Sequence, residues 1–122
     1  MLRQGKGKII NISSVRGFQG RAQDLAYAPS KGGVNQLTRS LAIEWGPKGV
    51  NVNAIAPAFT LTAINKSILE DPAKKEWVLS RIPMKRLGSL DDLFGPVVFL
   101  ASEASNFVNG HILVVDGGWL AA

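Results

Sequence analysis

The spacing of apolar residues along the chain predicts three strands. Residues 8–14 form a short run rich in isoleucine, which is typical of a strand buried on both faces. Residues 50–55 form a second apolar run, which Pro57 ends, and residues 111–115 form a third. A turn over residues 116–118 follows the third strand, because it contains two consecutive glycines.

Two helices are predicted between these strands. Apolar residues recur every three or four positions from 34 to 45, so we predict a helix that begins near residue 25 or 26 and ends before Gly46. Ser89 and Asp92 have the spacing of an acidic capping box, which predicts the start of a second helix. The apolar residues of this second helix form one stripe: Leu90, Leu93, Phe94, Val97, Val98 and Ala101.

The segment between the second strand and the second helix is predicted to be a flap. Residues 57–89 contain Pro72 and Pro83 and have irregular apolar spacing, which favours short helices in a mobile segment over a packed element. The alternation of strands and helices predicts a parallel sheet with helices covering it. Three strands leave the faces and edges of such a sheet poorly covered, so we expect them to be part of a larger one.

Composition indicates a soluble globular domain. The 122 residues fit one domain, with 46% hydrophobic and 19% charged residues. The sequence has no apolar run long enough to cross a membrane, no secretory signal pattern and no cysteine, so we expect a cytoplasmic protein without membrane or disulfide chemistry. The net charge of +5 raises the alternative of nucleic-acid binding. The basic residues are scattered without interleaved aromatics, so we expect no nucleic-acid partner.

Tyr27 and Lys31 are the first candidates for chemistry. They are four positions apart, which places them on one face of a helix. An ammonium beside a phenol favours the phenolate, so the pair suits proton transfer between an alcohol and a ketone. The spacing by itself leaves open a surface tyrosine beside a solvated lysine. Ser14, at the end of the first strand, adds a hydroxyl that would polarise a carbonyl where parallel sheets bind ligands.

Other polar and aromatic residues are assigned structural roles. We expect Asn53 to tie adjacent loops together and His111 to begin a strand without binding a metal. The three tryptophans, Trp45, Trp77 and Trp119, are expected to pack in the fold. Trp77 is the one best placed to touch a substrate, because it belongs to the predicted flap.

Four short motifs occur in a fixed order: Asn11-Ile12-Ser13-Ser14, Tyr27-Ala28-Pro29-Ser30-Lys31, Asn53-Ala54-Ile55-Ala56-Pro57 and Asp116-Gly117-Gly118. Together they resemble the short-chain dehydrogenase/reductase family with a Ser–Tyr–Lys site, over essentially the whole chain. The resemblance implies an α/β fold, the C-terminal half of a doubly wound parallel sheet (Rossmann-like) without its N-terminal half. Residues 1–122 would then be one incomplete domain, with residues 57–89 as its flap.

The resemblance also implies the reaction. It is a hydride transfer between NAD or NADP and a secondary alcohol or ketone, and it uses no metal. Tyr27 would be the catalytic acid and base. Lys31 would favour the ionised phenol and hold the nicotinamide ribose, so both residues would also contact the cofactor. Ser14 would position the reacting oxygen of the substrate.

A further cofactor contact is implied after the second strand. In the family a Pro-Gly-x-x-x-Thr segment holds the nicotinamide carboxamide. Here Pro57, Thr60 and Thr62 match this segment, whereas Ala58 replaces the glycine. Because alanine does not readily adopt a positive φ angle, we expect the loop to follow a slightly different path.

The cofactor-phosphate loop of the fold has no counterpart in this sequence. No G-x-G-x-x-G or G-x-x-x-G-x-G pattern occurs, although such a loop binds the pyrophosphate at a helix N-terminus. We therefore expect the chain to be part of a longer protein and to be inactive alone. The alternative is a non-catalytic fragment that acts only through association. The resemblance implies homodimers or homotetramers formed through the tyrosine-bearing helix, the last helix and the last strand.

The substrate class is suggested by the end of the chain. Within the family, residues 81–88 and the Asp-Gly-Gly-Trp ending most resemble gluconate 5-dehydrogenase and related sugar-acid enzymes. Basic residues of the flap would suit a carboxylate: Lys66, Lys74, Lys75 and Arg81. Ketoreductases of acyl-carrier-protein thioesters and steroid dehydrogenases share the same motifs. Thioesters and steroids are therefore alternative substrate classes.

Overall fold

A computed structural model describes residues 1–62, 66 and 70–122 of the chain. The described strands form one parallel sheet in the order β1 (Gly7–Ile12), β2 (Val50–Pro57), β3 (Ile112–Val115). Ile9 of β1 is in register with Val52, and Ala54 of β2 is in register with Ile112. The predicted parallel α/β arrangement is therefore confirmed.

Three helices of the described chain accompany the sheet: α1 (Tyr27–Trp45), α2 (Pro72–Arg81) and α3 (Asp91–Ala101). The side chain of Asp71 caps α2 by accepting hydrogen bonds from the backbone N–H groups of Ala73 and Lys74. At the start of α3, Ser89 donates its backbone N–H to Asp92, while the Asp92 N–H donates to the Ser89 hydroxyl. This exchange is the predicted capping box.

The core lies around the middle strand. Val50, Val52 and residues 54–56 of β2 are at most 1% exposed, as expected for a strand with neighbours on both sides and a helix against it. Helix α1 packs on this strand by placing Ala42 against Val50 and Val52. The strand prediction for residues 50–55 is confirmed, and the strand extends to Pro57.

The prediction that the first strand is buried on both faces is wrong. None of the residues of β1 is fully buried, and Ile12 is 58% exposed. The reason is its position, because among the described strands β1 pairs with β2 on one side only and lies at an edge of the sheet. The isoleucine side chains of β1 are therefore only partly buried.

The apolar stripe of α3 is present but largely uncovered. Leu90 before the helix is 67% exposed and Phe94 is 72% exposed, whereas Leu100 is the helix residue that is fully buried. Helix α3 contacts all three strands, yet a sheet this narrow covers only part of the stripe. The predicted helix and its apolar stripe are therefore confirmed.

The predicted flap contains a packed element. Val78 of α2 and Ile82 after it are each 2% exposed and pack with Val15 and Trp119. The short helix predicted for this segment is present, but the expectation that the segment would not pack fails at Val78 and Ile82. It failed because the residues that bury this helix come from distant parts of the sequence. Three apolar residues of the predicted flap, Ile64, Ile68 and Leu69, lie outside the described residues.

Over the part of the chain that the structure describes, no helix combines the length and the apolar character needed to cross a membrane.

Candidate active site

A cavity of about 500 Å³ opens beside the carboxyl ends of β1 and β2. This edge is where parallel α/β sheets bind ligands, because the loops that follow the strands diverge there. The cavity brings together all of the residues that the sequence singled out for catalysis and cofactor binding: Ser14, Tyr27, Lys31, Pro57, Thr60 and Thr62.

Ser14 lies in the first turn after β1. It is 7% exposed, and its side-chain oxygen accepts a hydrogen bond of 3.1 Å from the backbone N–H of Arg16. Ser14 thereby caps the short 3-10 helix Val15–Gly17. Because the hydroxyl oxygen serves as the acceptor, its hydrogen is left to donate into the cavity.

Tyr27 and Lys31 lie on the same face of α1, at its first turn. The Lys31 ammonium is 5.6 Å from the centre of the Tyr27 ring. It also donates a 2.8 Å hydrogen bond to the backbone carbonyl of Ile12, the last residue of β1. The charge is therefore held between the tyrosine and the strand end. The Tyr27 side chain is half exposed and lines the cavity.

Asn35 holds the loop after β1 against helix α1. Its side-chain amide accepts a hydrogen bond from the Ser13 hydroxyl and donates a 3.1 Å hydrogen bond to the carbonyl of Gly17. Asn35 is 3% exposed, so these bonds replace water that the amide would otherwise keep. Asn35 thus fixes Ser14 relative to Tyr27. Sequence reasoning missed it, although a polar residue on the buried side of an amphipathic helix was a usable signal.

The segment after β2 forms the opposite wall. The Ala58 N–H donates to the Val115 carbonyl at 3.3 Å, and Thr60 forms a parallel bridge with Gly88. The described non-glycine residues with positive φ are Gln23 and Lys85, so Ala58 has an ordinary backbone conformation. The alanine is accommodated without backbone strain.

The structural roles predicted for Asn53 and Trp119, which lie outside the cavity, are confirmed. The Asn53 side chain donates to the Val108 carbonyl at 2.9 Å and accepts from the His111 N–H at 2.9 Å. It therefore ties the loop before β3 to β2. Trp119 is 1% exposed and packs against Trp77 and Phe59, with ring centres 5.9 Å and 5.4 Å apart.

The donor set of the cavity fits the nicotinamide end of a dinucleotide. The Lys31 ammonium and the Tyr27 hydroxyl suit ribose hydroxyls, and Thr60 and Thr62 at the end of β2 suit a carboxamide. These groups converge at the carboxyl ends of two parallel strands, the position in which this fold binds such cofactors. The described residues thus offer hydrogen-bonding groups suited to one end of such a cofactor.

Comparison with known proteins identifies the family. A family model described as enoyl-(acyl carrier protein) reductase matches residues 1–120. The chain belongs to the short-chain dehydrogenase/reductase family. Its α/β structure is a partial Rossmann-like fold of that family.

Individual members of the short-chain dehydrogenase/reductase family are similar over the whole chain. The 2-dehydro-3-deoxy-D-gluconate 5-dehydrogenase of Bacillus subtilis is 54% identical over 121 residues, which are 99% of this chain and 48% of that protein. The 5-keto-D-gluconate 5-reductase of Escherichia coli is 44% identical over 122 residues, 100% of this chain and 48% of that protein.

A solved family structure superimposes closely. It is a gluconate 5-dehydrogenase from Burkholderia cenocepacia in complex with NADP and tartrate, 41% identical with a TM-score of 0.96. The match covers 99% of this chain and 48% of that one. The chain thus spans about half the length of the relatives it matches.

Proposed function

We propose that this chain forms the proton-transfer part of an NAD(P)-dependent oxidoreductase that interconverts a secondary alcohol and a ketone of a sugar acid. The observation that carries the proposal is the shared cavity of Ser14, Tyr27 and Lys31. A phenol, an ammonium and a hydroxyl converge there on one space large enough for a small ligand.

The chemistry divides into a proton step and a hydride step. In the oxidation direction, Tyr27 takes the proton from the substrate hydroxyl, and in the reduction direction it returns that proton to the carbonyl oxygen. A bound nicotinamide accepts or supplies the hydride at the carbon. The Ser14 hydroxyl donates to the reacting oxygen. Lys31, fixed by the Ile12 carbonyl, stabilises the negative charge on the phenolate.

A sugar acid is the favoured substrate class. The relatives described above are named for gluconate derivatives, at 41–54% identity, and the Burkholderia cenocepacia structure holds NADP together with the hydroxy acid tartrate. These names support NAD or NADP as the cofactor and a polyhydroxylated acid as the substrate. Acyl-carrier-protein thioesters, which the name of the family model contains, are the rival class.

The activity is tested in a hybrid enzyme. Residues 1–122 replace the matched half of the Bacillus subtilis relative, so that the other half of the fold is supplied. We expect NAD(P)H-dependent reduction of 5-keto-D-gluconate, and we expect kcat to fall about 100- to 10,000-fold in Tyr27→Phe, the usual size of a general-acid contribution. Leu25→Ala is the matched control, because Leu25 is 92% exposed two residues earlier.

Two results would overturn this function. One is a hybrid that folds, as shown by its circular dichroism and melting, yet prefers a β-ketoacyl thioester to the sugar acid. The other is a Tyr27→Phe hybrid with undiminished kcat.

A non-catalytic role through association is the second candidate. The observation that favours it is the uncovered apolar stripe on α3, where Phe94 and Leu90 are mostly exposed. On this alternative the 122-residue chain self-associates or binds a family member without catalysis. A homodimer or homotetramer is proposed for the enzyme as well, so association alone does not separate the two candidates, whereas activity of the hybrid does.

A further inference from the structure

A second cavity, of about 590 Å³, adjoins the cavity of Ser14, Tyr27 and Lys31. We call it the basic cavity, because Arg16, Arg21, Lys74 and Arg81 line it around the ring of Trp119. Arg16 and Arg21 line both cavities. The two spaces therefore share a wall that carries positive charge.

Arg16 has unused hydrogen-bonding capacity at this wall. Its guanidinium lies over the Trp119 ring, with the central carbon 5.5 Å from the ring centre, and Arg81 lies 5.6 Å from the same centre. One terminal nitrogen of Arg16, Nη2, is buried and has no hydrogen-bond partner among the described residues. A buried donor without an acceptor is costly, so in a native structure it calls for a specific explanation, such as a functional role or a bound water or ion.

Negative charge balances only part of the basic cavity, where Lys74 pairs with the Asp71 carboxylate at 3.6 Å. Within residues 1–62, 66 and 70–122, neither Arg16 nor Arg21 nor Arg81 forms an ion pair with a carboxylate. The pKa of Arg16 is lowered by burial and by repulsion from Arg21, against a smaller opposing attraction from Asp24. An anion placed beside Arg16 would relieve this repulsion and offer the guanidinium an acceptor.

We propose that Arg16, assisted by Arg81, binds the carboxylate of the substrate in the basic cavity and thereby selects acids over neutral sugars. This proposal rests on the function proposed above, and it assigns a specificity-determining residue to it. Arg16 is chosen over the exposed lysines of the flap because it borders both cavities and holds the donor without a partner.

Ser14 and Arg16 belong to one short turn, as the assignment requires of residues that hold the two ends of one small substrate. In a six-carbon acid that reacts at carbon 5, the carboxylate lies about 5 Å from the reacting carbon. Arg16 is two residues after Ser14, and the 3.1 Å bond from its N–H to the Ser14 hydroxyl oxygen fixes the two positions together. One short turn thus presents a hydroxyl to the reacting oxygen and a guanidinium to the acid end.

The test compares an acid with its neutral analogue in the hybrid enzyme. L-Sorbose has the carbon chain of 5-keto-D-gluconate with a hydroxymethyl group in place of the carboxylate. In Arg16→Gln we expect kcat/KM for 5-keto-D-gluconate to fall about 10- to 100-fold, mainly through KM. We expect kcat/KM for L-sorbose to change less than about twofold. Arg39→Gln is the control, because it removes the same charge from an exposed position on α1.

The outcomes separate this proposal from the proposed function. Equal losses on both substrates would show that Arg16 only supports the fold, and no loss on either would show that it does not touch the acid; both overturn the proposal. In either case the dependence on Tyr27 would stand. Failure of Tyr27→Phe to reduce kcat would instead overturn the function.

A binding measurement on the 122-residue chain covers the case in which the hybrid does not fold. D-Gluconate is titrated while the indole N–H signal of Trp119 is followed by nuclear magnetic resonance, with D-glucitol as the neutral comparison. We expect gluconate alone to shift the signal, and we expect Arg16→Gln to abolish the shift while Arg39→Gln retains it. A shift that survives Arg16→Gln, or an equal shift with glucitol, overturns the proposal.

Discussion

Gly17 lies where the loop after β1 touches helix α1. A methyl group at this position would be 2.7 Å from the side-chain nitrogen of Asn35 and 2.9 Å from the backbone carbonyl oxygen of Lys31. We expect Gly17→Ala to destabilise the protein by about 1–3 kcal/mol, since the backbone of α1 has little room to move. Thermal unfolding followed by circular dichroism measures this loss.

Gly20→Ala is the matched control for this substitution. Gly20 is in the same loop, and a methyl group there would meet nothing within 4 Å. An equal change in melting temperature for both variants would mean that the close contact at Gly17 is not the cause of the destabilisation.

At this scale, local spacing explains what the sequence could predict. Tyr27 and Lys31 are one helical turn apart and Ser14 follows a recognisable strand, so their convergence depended on short stretches of chain. Arg16 was left among the scattered charges. The position of the Arg16 side chain depends on Trp119, which lies near the other end of the sequence. Trp119 also packs against Val15 and donates a hydrogen bond to the Gln19 side chain. No nearby residue could signal that contact.

The capping box of α3 makes the stability of this element dependent on pH. Arg86 donates two hydrogen bonds of 2.7 Å to the Asp92 carboxylate, and Ser89 donates to it as well. These bonds hold the pKa of Asp92 well below its ordinary value. A carboxyl group with a lowered pKa stabilises the fold at pH values above about 4, and this contribution is lost as the pH falls further.

We therefore expect Asp92→Asn to lower the melting temperature at pH 6 and to have a shrinking effect as the pH is reduced below about 4. The measurement is a set of melting curves from pH 6 to pH 3 for the natural chain and the variant. Asp91→Asn is the control, because Asp91 is the adjacent acidic residue of the first turn. A pH-independent difference for Asp92→Asn would contradict the ion-pair explanation.

At the scale of helices and strands, the sequence predicted the type and order of the elements better than it predicted how deeply each element is buried. Both long helices and all three described strands were predicted within a few residues. Periodicity reports which face of an element is apolar, but it does not report whether a neighbour is present to cover that face. For this reason β1 was expected to be more buried than it is. Helix α2 was missed as a packed element because its neighbour Trp119 is remote in sequence.

The exposed stripe of α3 predicts association of the whole molecule. Phe94 is the most exposed large apolar residue within this helix, at 72%. We expect Phe94→Glu to shift the protein towards the monomer, because a charge in an apolar contact is costly to bury. Sedimentation velocity over a range of protein concentrations measures the shift. Leu25→Glu, at an exposed residue outside α3, should leave the distribution unchanged.

The hydrogen bond from Lys31 to the Ile12 carbonyl limits how far the sheet can extend. The N–H of Ser13 points towards β2, where it donates to the Ile55 carbonyl. Because the peptide between Ile12 and Ser13 is trans, the Ile12 carbonyl points the other way, along the open edge of β1. A further strand added at that edge must stop short of this carbonyl or displace the ammonium from it. The same backbone atom therefore sets the position of the reactive charge and the point along β1 at which pairing with a further strand must end.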